Sequence, residues 1–252
     1  MASLNGRIVL VTGASAGIGL ATAETLANHG MKVIACARNI HAIEDLNKSL
    51  NPDSQIHIIR CDLSKEEEVL VLFKGIADKF GGLDVLVNNA GMGGSGTGLL
   101  TGQYHAWQDM LNLNILGLTL CTREAVKLIE SSGSKNGHII NLNSVAGHRV
   151  PVSPMRQFYS GTKHMVTALT KNLRTTLQPK NIRVTSLSPG LVETEFAQRS
   201  YGKEDPEGAA KMYTQIKALD AKDIADAIVY VLSAPAHVNV DELTVTPLQQ
   251  RY

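Results

Sequence analysis

The sequence predicts one α/β domain built on a doubly wound, seven-stranded parallel sheet, and three observations support this class. Apolar runs alternate with amphipathic stretches at intervals of roughly 25 to 30 residues, which is typical of repeated βα units. The apolar runs are rich in β-branched residues and lack polar alternation, as expected for strands covered on both faces. A chain of 252 residues with 44% hydrophobic content can bury one sizeable core, so residues 1–252 are expected to form a single domain.

Seven apolar runs and six helical patterns follow one another along the chain. The strands are predicted at 7–13, 32–37, 56–61, 83–89, 137–143, 182–190 and 242–245. The helices are predicted at 18–29, 40–50, 65–80, 105–131, 157–178 and 221–233. Residues 191–220 interrupt the alternation with mixed charge and short helical pieces. Since this insertion follows the carboxyl end of a strand, it predicts a lid or substrate loop.

The composition favours a small-molecule partner in a reducing compartment. The formal net charge is +1, which gives no reason to expect nucleic acid or an anionic membrane. Cys36, Cys61 and Cys121 are scattered without a CxxC pair, which predicts buried free thiols and a cytoplasmic location. The N-terminal stretch MASLNGRIVLVTG has too few apolar residues before the glycine loop for a signal-peptide core or a membrane span. The histidines show no metal-binding spacing, so no metal is expected.

The first strand leads into TGASAGIGL, a glycine-rich entrance to a helix. Glycines at such a turn let backbone N–H groups approach a pyrophosphate, and the positive end of the helix faces the same phosphates. Because the loop follows the first strand of a parallel sheet, it predicts a Rossmann-type dinucleotide site, although a merely structural glycine turn is the alternative. The predicted contacts are Gly13, Ser15, Ala16, Gly17, Ile18 and Gly19.

The end of the second strand indicates which dinucleotide binds. An acidic residue there would hydrogen-bond the ribose hydroxyls and repel a 2′-phosphate. Ala37 takes that place and Arg38 follows, which can hold a 2′-phosphate through a forked, charge-assisted contact. The sequence therefore favours NADP(H) over NAD(H), with Arg60 and Lys32 as weaker candidates for the same charge.

Polar residues also follow the third and fourth strands. Asp62 and Leu63 would place a carboxylate near the adenine amino group and an apolar wall beside the ring, although Asp62 could equally cap the helix that begins near Lys65. The NNAG stretch at 88–91 is expected to line the nicotinamide side of the crevice. Its predicted cofactor contacts are Asn89, Ala90 and Gly91.

Motifs that cover nearly the whole chain resemble those of the short-chain dehydrogenase/reductase superfamily. In order, they are TGxxxGxG, NNAG, the asparagine of LNLNILG, a serine at 144, YxxxK at 159–163 and SPGLVET at 188–194. The stretches CDLS, GHIINLNSVAGHRV, FYSGTK and ELTVTPLQQ are similar to the dehydrogenase/reductase family member 11 and insect farnesol dehydrogenase group. The resemblance implies an NADP(H)-dependent enzyme that acts on hydrophobic ketones and alcohols, including steroids and terpenoid alcohols.

The superfamily's catalytic tetrad falls on Asn114, Ser144, Tyr159 and Lys163. Hydride transfer to a carbonyl carbon leaves negative charge on oxygen, so Tyr159 is expected to donate a proton and to act as the base in the reverse direction. A free phenol titrates near ~10, and Lys163 at i+4 would supply the cation that favours its ionised form. Ser144 would hydrogen-bond the substrate oxygen, although a serine there could also be a helix cap. Asn114 would bend its helix and hold a water that links Lys163 to solvent.

The loops that follow the fifth and sixth strands are expected to enclose the nicotinamide and the substrate. In the SPGLVET motif, the predicted cofactor contacts are Pro189, Gly190, Val192 and Thr194. An apolar substrate wall is predicted from Met92, Val145, Pro151, Met155, Phe158, Leu191 and Phe196.

Two other functions and one mode of assembly also follow from the sequence. A non-catalytic NADP(H) sensor would share the dinucleotide motifs, and a nucleotide-sugar epimerase would share the fold and YxxxK. The resemblance also implies a homodimer or homotetramer formed by the helices at 105–131 and 157–178. Met165, Leu169 and Leu173 form one apolar stripe on the second of these helices, although the core of a monomer could use the same residues.

Overall fold

A computed structural model describes residues 3–94, 96–150, 157–196, 200, 213–214 and 216–250, and it confirms the predicted fold class. All seven strands pair in parallel, in the order β3-β2-β1-β4-β5-β6-β7. The strands are β1 (Ile8–Thr12), β2 (Lys32–Ala37), β3 (His57–Arg60), β4 (Val85–Asn88), β5 (His138–Leu142), β6 (Arg183–Pro189) and β7 (Glu242–Val245). The strand order reverses beside β1, so a crevice is expected between the carboxyl ends of β1 and β4.

Helices cover both faces of this sheet. They are α1 (Gly17–Asn28), α2 (His41–Ser49), α3 (Glu66–Phe80), α4 (Tyr104–Leu111), α5 (Leu118–Ser131), α6 (Gln157–Leu177) and α7 (Ala221–Leu232). In β1, Val9 and Val11 join a core with α1 and α7, whereas Leu10 joins a second core with α3 and α5. Successive residues of a strand point to opposite faces, and here both faces are buried. This explains the uninterrupted apolar runs.

The structure confirms the helix predicted at 105–131, with a π-helical segment, Asn112–Gly117, between α4 and α5. The wider turn contains Asn114, which is buried. A side chain on Gly117 would place its Cβ 2.6 Å from the Leu63 carbonyl oxygen, so the helix crosses very close to the chain that leaves β3. Single π-turns of this kind often occur at functional sites.

The apolar stripe on α6 is divided between the core and the surface. Leu169 packs against a small cluster of Ile115, Leu118 and Val166, and Leu173 packs against the core on the α3 and α5 face. Met165 keeps 45% of its surface exposed. Only Met165 of the three is therefore well placed for contact with another chain.

Two further observations concern the described residues as a whole. None of their helices combines the length and the apolar character needed to cross a membrane. Cys36, Cys61 and Cys121 are free and buried, as the sequence predicts. Much of the predicted substrate loop, at 197–199, 201–212 and 215, lies outside the described residues.

Candidate active site

The loop between β1 and α1 forms a backbone cradle. The N-cap residue Ala16 has an extended backbone and offers no side-chain oxygen to the N–H groups of the first helical turn. Gly13 and Gly17 have φ values of 65° and 52°, which favour glycine. A Cβ on Gly13 would lie 2.7 Å from the Ala90 Cα, and one on Gly17 would lie 2.9 Å from Cγ2 of Thr194. The loop is thus enclosed between Ala90 and Thr194, with helix N–H groups at its centre.

Hydrogen bonds fix the cradle to the end of β4. Asn89 donates from Nδ2 to the carbonyl oxygens of Thr12 and Gly13, at 2.8 and 3.0 Å. The Thr12 hydroxyl donates to the Val87 carbonyl and accepts from the N–H groups of Asn89 and Ala90. Sequence reasoning missed Thr12, although its position directly before Gly13 was a usable signal.

Charged residues gather where β2 and β3 end. Arg38 is exposed, and its carbonyl accepts from Nε of Arg60, whose strand partner is Ala37. Lys32 begins β2, at the opposite end of the strand, so it cannot supply the same charge. Arg38 and Arg60 therefore give this corner of the crevice two cationic side chains.

Asp62 lies beside these arginines and forms a turn instead of a helix cap. Its Oδ1 accepts from the backbone N–H and the hydroxyl of Ser64, while the N-cap of α3 is Lys65, which makes no side-chain cap. Partial burial raises the pKa of the Asp62 carboxyl, but the Ser64 hydrogen bonds and the charges of Arg38 and Lys65 outweigh it and lower the pKa. Asp62 thus stays ionised near Arg38, and Leu63 beside it is buried.

Lys163 is buried beneath the ring of Tyr159. Its Nζ lies 5.8 Å from the centroid of that ring and donates to the Leu142 carbonyl at 2.8 Å. Burial lowers the pKa of Lys163 to about 8. A Cβ on Gly91 would lie 4.0 Å from Nζ and 3.5 Å from Oδ1 of Asn114. The structure therefore brings Tyr159, Lys163, Asn114 and the NNAG loop together.

Asn114 connects the wall of the cleft to α6. Its Oδ1 accepts from the N–H of Met92 at 2.8 Å, and its Nδ2 donates to the Met92 carbonyl and to the Thr162 hydroxyl, at 3.0 and 3.2 Å. The side chain thereby fixes Met92 relative to the helix that carries Tyr159. The water that Asn114 is expected to hold stays a prediction.

Ser144 stands at the start of a short 3₁₀ turn, Val145–Gly147, and its Oγ accepts from the Ala146 N–H at 3.1 Å. Ser144 therefore does cap this turn, which was one of its two predicted roles. In the cap the hydroxyl oxygen is the acceptor, and the hydroxyl hydrogen is not used. Ser160 donates to the Ala146 carbonyl and Thr167 donates to the Gly147 carbonyl, at 2.8 and 2.9 Å. These two residues flank Lys163 on α6, so the helix holds the Ser144 turn on both sides of the lysine.

His148 fastens the same turn to the sheet. Its Nε2 lies 2.9 Å from the Ser188 hydroxyl and 2.6 Å from Oε1 of Glu242. Sequence reasoning gave His148 no role, because its partners are 40 and 94 positions away and no local pattern links them. No group of His, Cys, Asp and Glu among the described residues could hold a metal ion.

The chain after β6 crosses the cleft toward the glycine cradle. Pro189 is buried at the end of β6, Val192 forms a bridge with Leu219, and the Tyr213 hydroxyl donates to the carbonyls of Val192 and Thr194. Since Thr194 also contacts Gly17, this stretch closes over the crevice. The ring of Phe196 lies 5.7 Å from that of Tyr159, measured between centroids.

The residues predicted for the substrate wall divide into three groups. Met92, Val145 and Leu191 are half-buried, and Phe196 contacts Tyr159. Phe158 instead stacks on Trp107 and lines an apolar groove of about 270 Å³ with Leu99, Leu111 and Met165. Pro151 and Met155 lie outside the described residues.

The parallel sheet, the glycine cradle and the Tyr159–Lys163 pair are typical of dinucleotide-dependent oxidoreductases, and comparisons with known proteins agree with this class. Residues 7–205 match the family model described as short chain dehydrogenase. The chain therefore belongs to the short-chain dehydrogenase/reductase family, a family of oxidoreductases.

Individual relatives cover almost the whole chain. Human dehydrogenase/reductase SDR family member 11 is 45% identical over 249 residues, 97% of this chain and 95% of the relative. Farnesol dehydrogenase from Aedes aegypti is 39% identical over 252 residues, 98% of each chain. Among solved structures, the closed form of serine dehydrogenase complexed with NADP+ has a TM-score of 0.89 at 32% identity and covers 98% of this chain and 97% of its own.

Proposed function

We propose that the protein is an NADP(H)-dependent oxidoreductase that interconverts a hydrophobic ketone or aldehyde and its alcohol. The observation that carries the proposal is the buried ammonium of Lys163 beneath the Tyr159 ring, beside the turn that holds Ser144. A phenol, a cation and a hydroxyl in this arrangement are what proton transfer to a reacting oxygen requires.

The residues of the crevice fit a phosphorylated dinucleotide. The uncapped first turn of α1 and the close approach of Ala90 and Thr194 leave only backbone N–H groups and small residues to meet a pyrophosphate. Arg38 and Arg60 would hold a 2′-phosphate, Asp62 would approach the adenine, and Val192 and Thr194 would contact the carboxamide. When bound, the nicotinamide would supply or accept the hydride.

In carbonyl reduction, the Tyr159 hydroxyl would give its proton to the substrate oxygen as that oxygen becomes negative. Lys163 would stabilise the phenolate that remains, and the Ser144 hydroxyl would donate to the substrate oxygen and fix its position. In alcohol oxidation the phenolate would take the proton back. Asn114 would keep Met92, and with it the wall of the cleft, at a fixed distance from α6.

The walls of the cleft favour an apolar substrate. Phe196 contacts Tyr159, and the half-buried residues Met92, Val145 and Leu191 would complete an apolar wall. One of the similar proteins carries a name that is consistent with an apolar substrate, farnesol dehydrogenase. Steroids and terpenoid alcohols are therefore the first substrates to test, with residues 191–220 as the substrate loop.

Absorbance of the reduced nicotinamide, recorded with a panel of ketones and alcohols, tests the proposal. The panel should include steroid and terpenoid compounds, with serine as a polar comparison. We expect turnover with NADP(H) and apolar substrates. Cofactor binding without turnover of any of them would favour the non-catalytic sensor, and conversion of a nucleotide sugar without net redox change would favour the epimerase.

We also propose a homodimer or homotetramer in the cytoplasm. Leu111 on α4, Leu116 on the π-segment and Met165 on α6 are exposed, which supports self-association through the helical stretch at 105–131 and through α6. The three buried free thiols suit a reducing compartment. Light scattering at micromolar concentration should give at least twice the monomer mass, and a mass of 27.1 kDa would contradict this assembly.

A further inference from the structure

The segment after β7 folds back over the turn that follows β6. The Gln250 N–H donates to the Pro247 carbonyl at 3.0 Å, which closes a four-residue turn, Pro247 to Gln250. Pro247 is buried, whereas Leu248 and Gln249 are exposed. The turn therefore has an inner side, formed by its first and last residues, and an outer side that meets solvent.

The inner side holds two successive peptide groups near Pro189. Oε1 of Gln250 accepts from the Leu191 N–H at 2.9 Å, and the Val245 carbonyl accepts from the Gly190 N–H at 2.8 Å. A Cβ on Gly190 would overlap Oε1 of Gln250 and would lie 3.1 Å from Cδ of Pro247. Glycine at 190 is thus needed for this approach, and the Gln250 amide fills the space that a side chain would take.

This contact controls the direction of the chain toward the cleft. The Gly190 carbonyl and the Leu191 N–H belong to one planar peptide group and point in opposite directions. An acceptor that fixes the direction of this N–H therefore also fixes the direction of the carbonyl. The next residues are Val192, whose carbonyl accepts from Tyr213, and Thr194, which contacts Gly17 of the cradle. Gln250 acts where this stretch begins.

We propose that Gln250 is a positioning residue for the nicotinamide half of the cofactor site. The proposal rests on the function proposed above, in which Val192 and Thr194 contact the carboxamide. Gln250 touches neither cofactor nor substrate in this scheme. It orients the peptide between Gly190 and Leu191, and it thereby sets the position of the residues that do.

Binding of two ligands to four proteins tests the proposal. NADPH occupies both halves of the site, whereas 2′,5′-ADP has the phosphorylated adenosine without the nicotinamide. Gln250→Met keeps the length of the side chain and removes the acceptor, and Gln250→Glu restores an acceptor oxygen. Gln249→Met is a matched control, since this neighbouring glutamine is exposed.

We expect Gln250→Met to weaken NADPH about threefold to tenfold, the range that one neutral hydrogen bond supplies, and to leave 2′,5′-ADP unchanged. Gln250→Glu should recover most of the loss, and Gln249→Met should equal the wild type. An equal loss for both ligands, or no loss for NADPH, would overturn the proposal. If the wild type bound neither ligand, the proposed function itself would fail, so the two failures are distinguishable.

Discussion

The two ends of strand β5 each hold a buried basic group, and the two groups have different surroundings. His138 begins the strand at the amino edge of the sheet. Leu142 ends it at the carboxyl edge, where its carbonyl accepts from Lys163. Burial lowers the pKa of both groups, that of His138 well below 6.5 and that of Lys163 to about 8.

The amino edge encloses its histidine completely. The Thr185 hydroxyl donates its hydrogen to the Val240 carbonyl. In its contact with His138 the Thr185 oxygen must therefore be the acceptor, so Nε2 of His138 carries the proton. Nearby, Arg183 donates to the Ala234 carbonyl after α7 and Arg7 donates to the Leu232 carbonyl at the end of α7, and the charges of both lower the pKa of His138 further. These contacts hold neighbouring secondary-structure elements together.

The carboxyl edge presents its lysine to a crevice lined by glycines and a phenol. Gly91 of the β4–β5 connection lies near Lys163, as do Tyr159 and the Ser144 turn of the β5–β6 connection. A perturbed pKa therefore marks burial at both ends, and the carboxyl end, where we propose that the reaction occurs, differs by its glycine-lined crevice and the phenol beside the lysine. Four predictions test this contrast.

The largest effect is expected from Tyr159→Phe at the carboxyl edge. The ring still packs against Phe196, but the proton donor is lost, so turnover should fall about 10²- to 10⁴-fold or more. The dissociation constant of NADPH should stay near the wild-type value. Tyr230→Phe is the control, because Tyr230 is an exposed tyrosine on α7. Ketone reduction by Tyr159→Phe at near the wild-type rate would remove the acid from the mechanism.

Lys163→Met should lower turnover on the order of 10²-fold, because the phenolate loses its cation. It should also weaken NADPH, since the same ammonium can hold the nicotinamide ribose hydroxyls. The substitution should also change stability, because it removes the cost of burying a charged group and not a stabilising interaction. The folded-state pKa of about 8 lies below the ordinary value of 10.5, so the unfolded chain binds more protons between these values.

The free energy of unfolding of the wild type should therefore rise with pH across that window, by about 3 kcal/mol relative to Lys163→Met. Denaturant titrations of both proteins at pH 8 and pH 10.5 measure the difference. A constant difference between the two proteins would mean that the lysine is not desolvated in the folded state.

At the carboxyl edge of the sheet, the sequence predicted the features that short local patterns indicate, and it missed those that depend on distant contacts. Gly13, Ser144, Tyr159 and Lys163 follow strand ends in short patterns, and the sheet order brings them together, so the sequence predicted their neighbourhood. A bend at Asn114 was predicted, but the π-segment at Asn112 to Gly117 was not, and its close approach to the Leu63 carbonyl is a tertiary contact that no local pattern indicates. His148 and Gln250 were missed for the same reason, since their partners are distant in the sequence.

Arg38→Ala tests the adenosine corner of the same edge and should have a smaller effect. Loss of a charge-assisted contact to the 2′-phosphate should weaken NADPH by about 1.5–3 kcal/mol and NADH much less. Arg60→Ala should have the same direction and a smaller size, because Arg60 lies one strand further from the crevice. Lys32→Ala is the control at the amino end of β2. Equal efficiency of the wild type with NADPH and NADH would refute this preference.

The smallest effect is expected at the amino edge, where His138→Gln should leave turnover unchanged and alter only the pH dependence of stability. The folded-state pKa of His138 lies well below 6.5, so as the pH falls through 6.5 the unfolded chain takes up a proton that the folded chain does not. The wild type should therefore lose free energy of unfolding toward low pH, by about 1.4 kcal/mol for each pH unit below 6.5, until its own folded-state pKa is reached. Glutamine can still donate to Thr185 but cannot titrate, so its curve should be flatter between pH 6.5 and pH 5, whatever the substitution costs at neutral pH. The measurement is urea unfolding of both proteins across this range, with turnover recorded at each pH. Parallel stability curves would show that His138 ionises normally in the folded state, and a loss of turnover at neutral pH would show that the amino edge also serves the reaction.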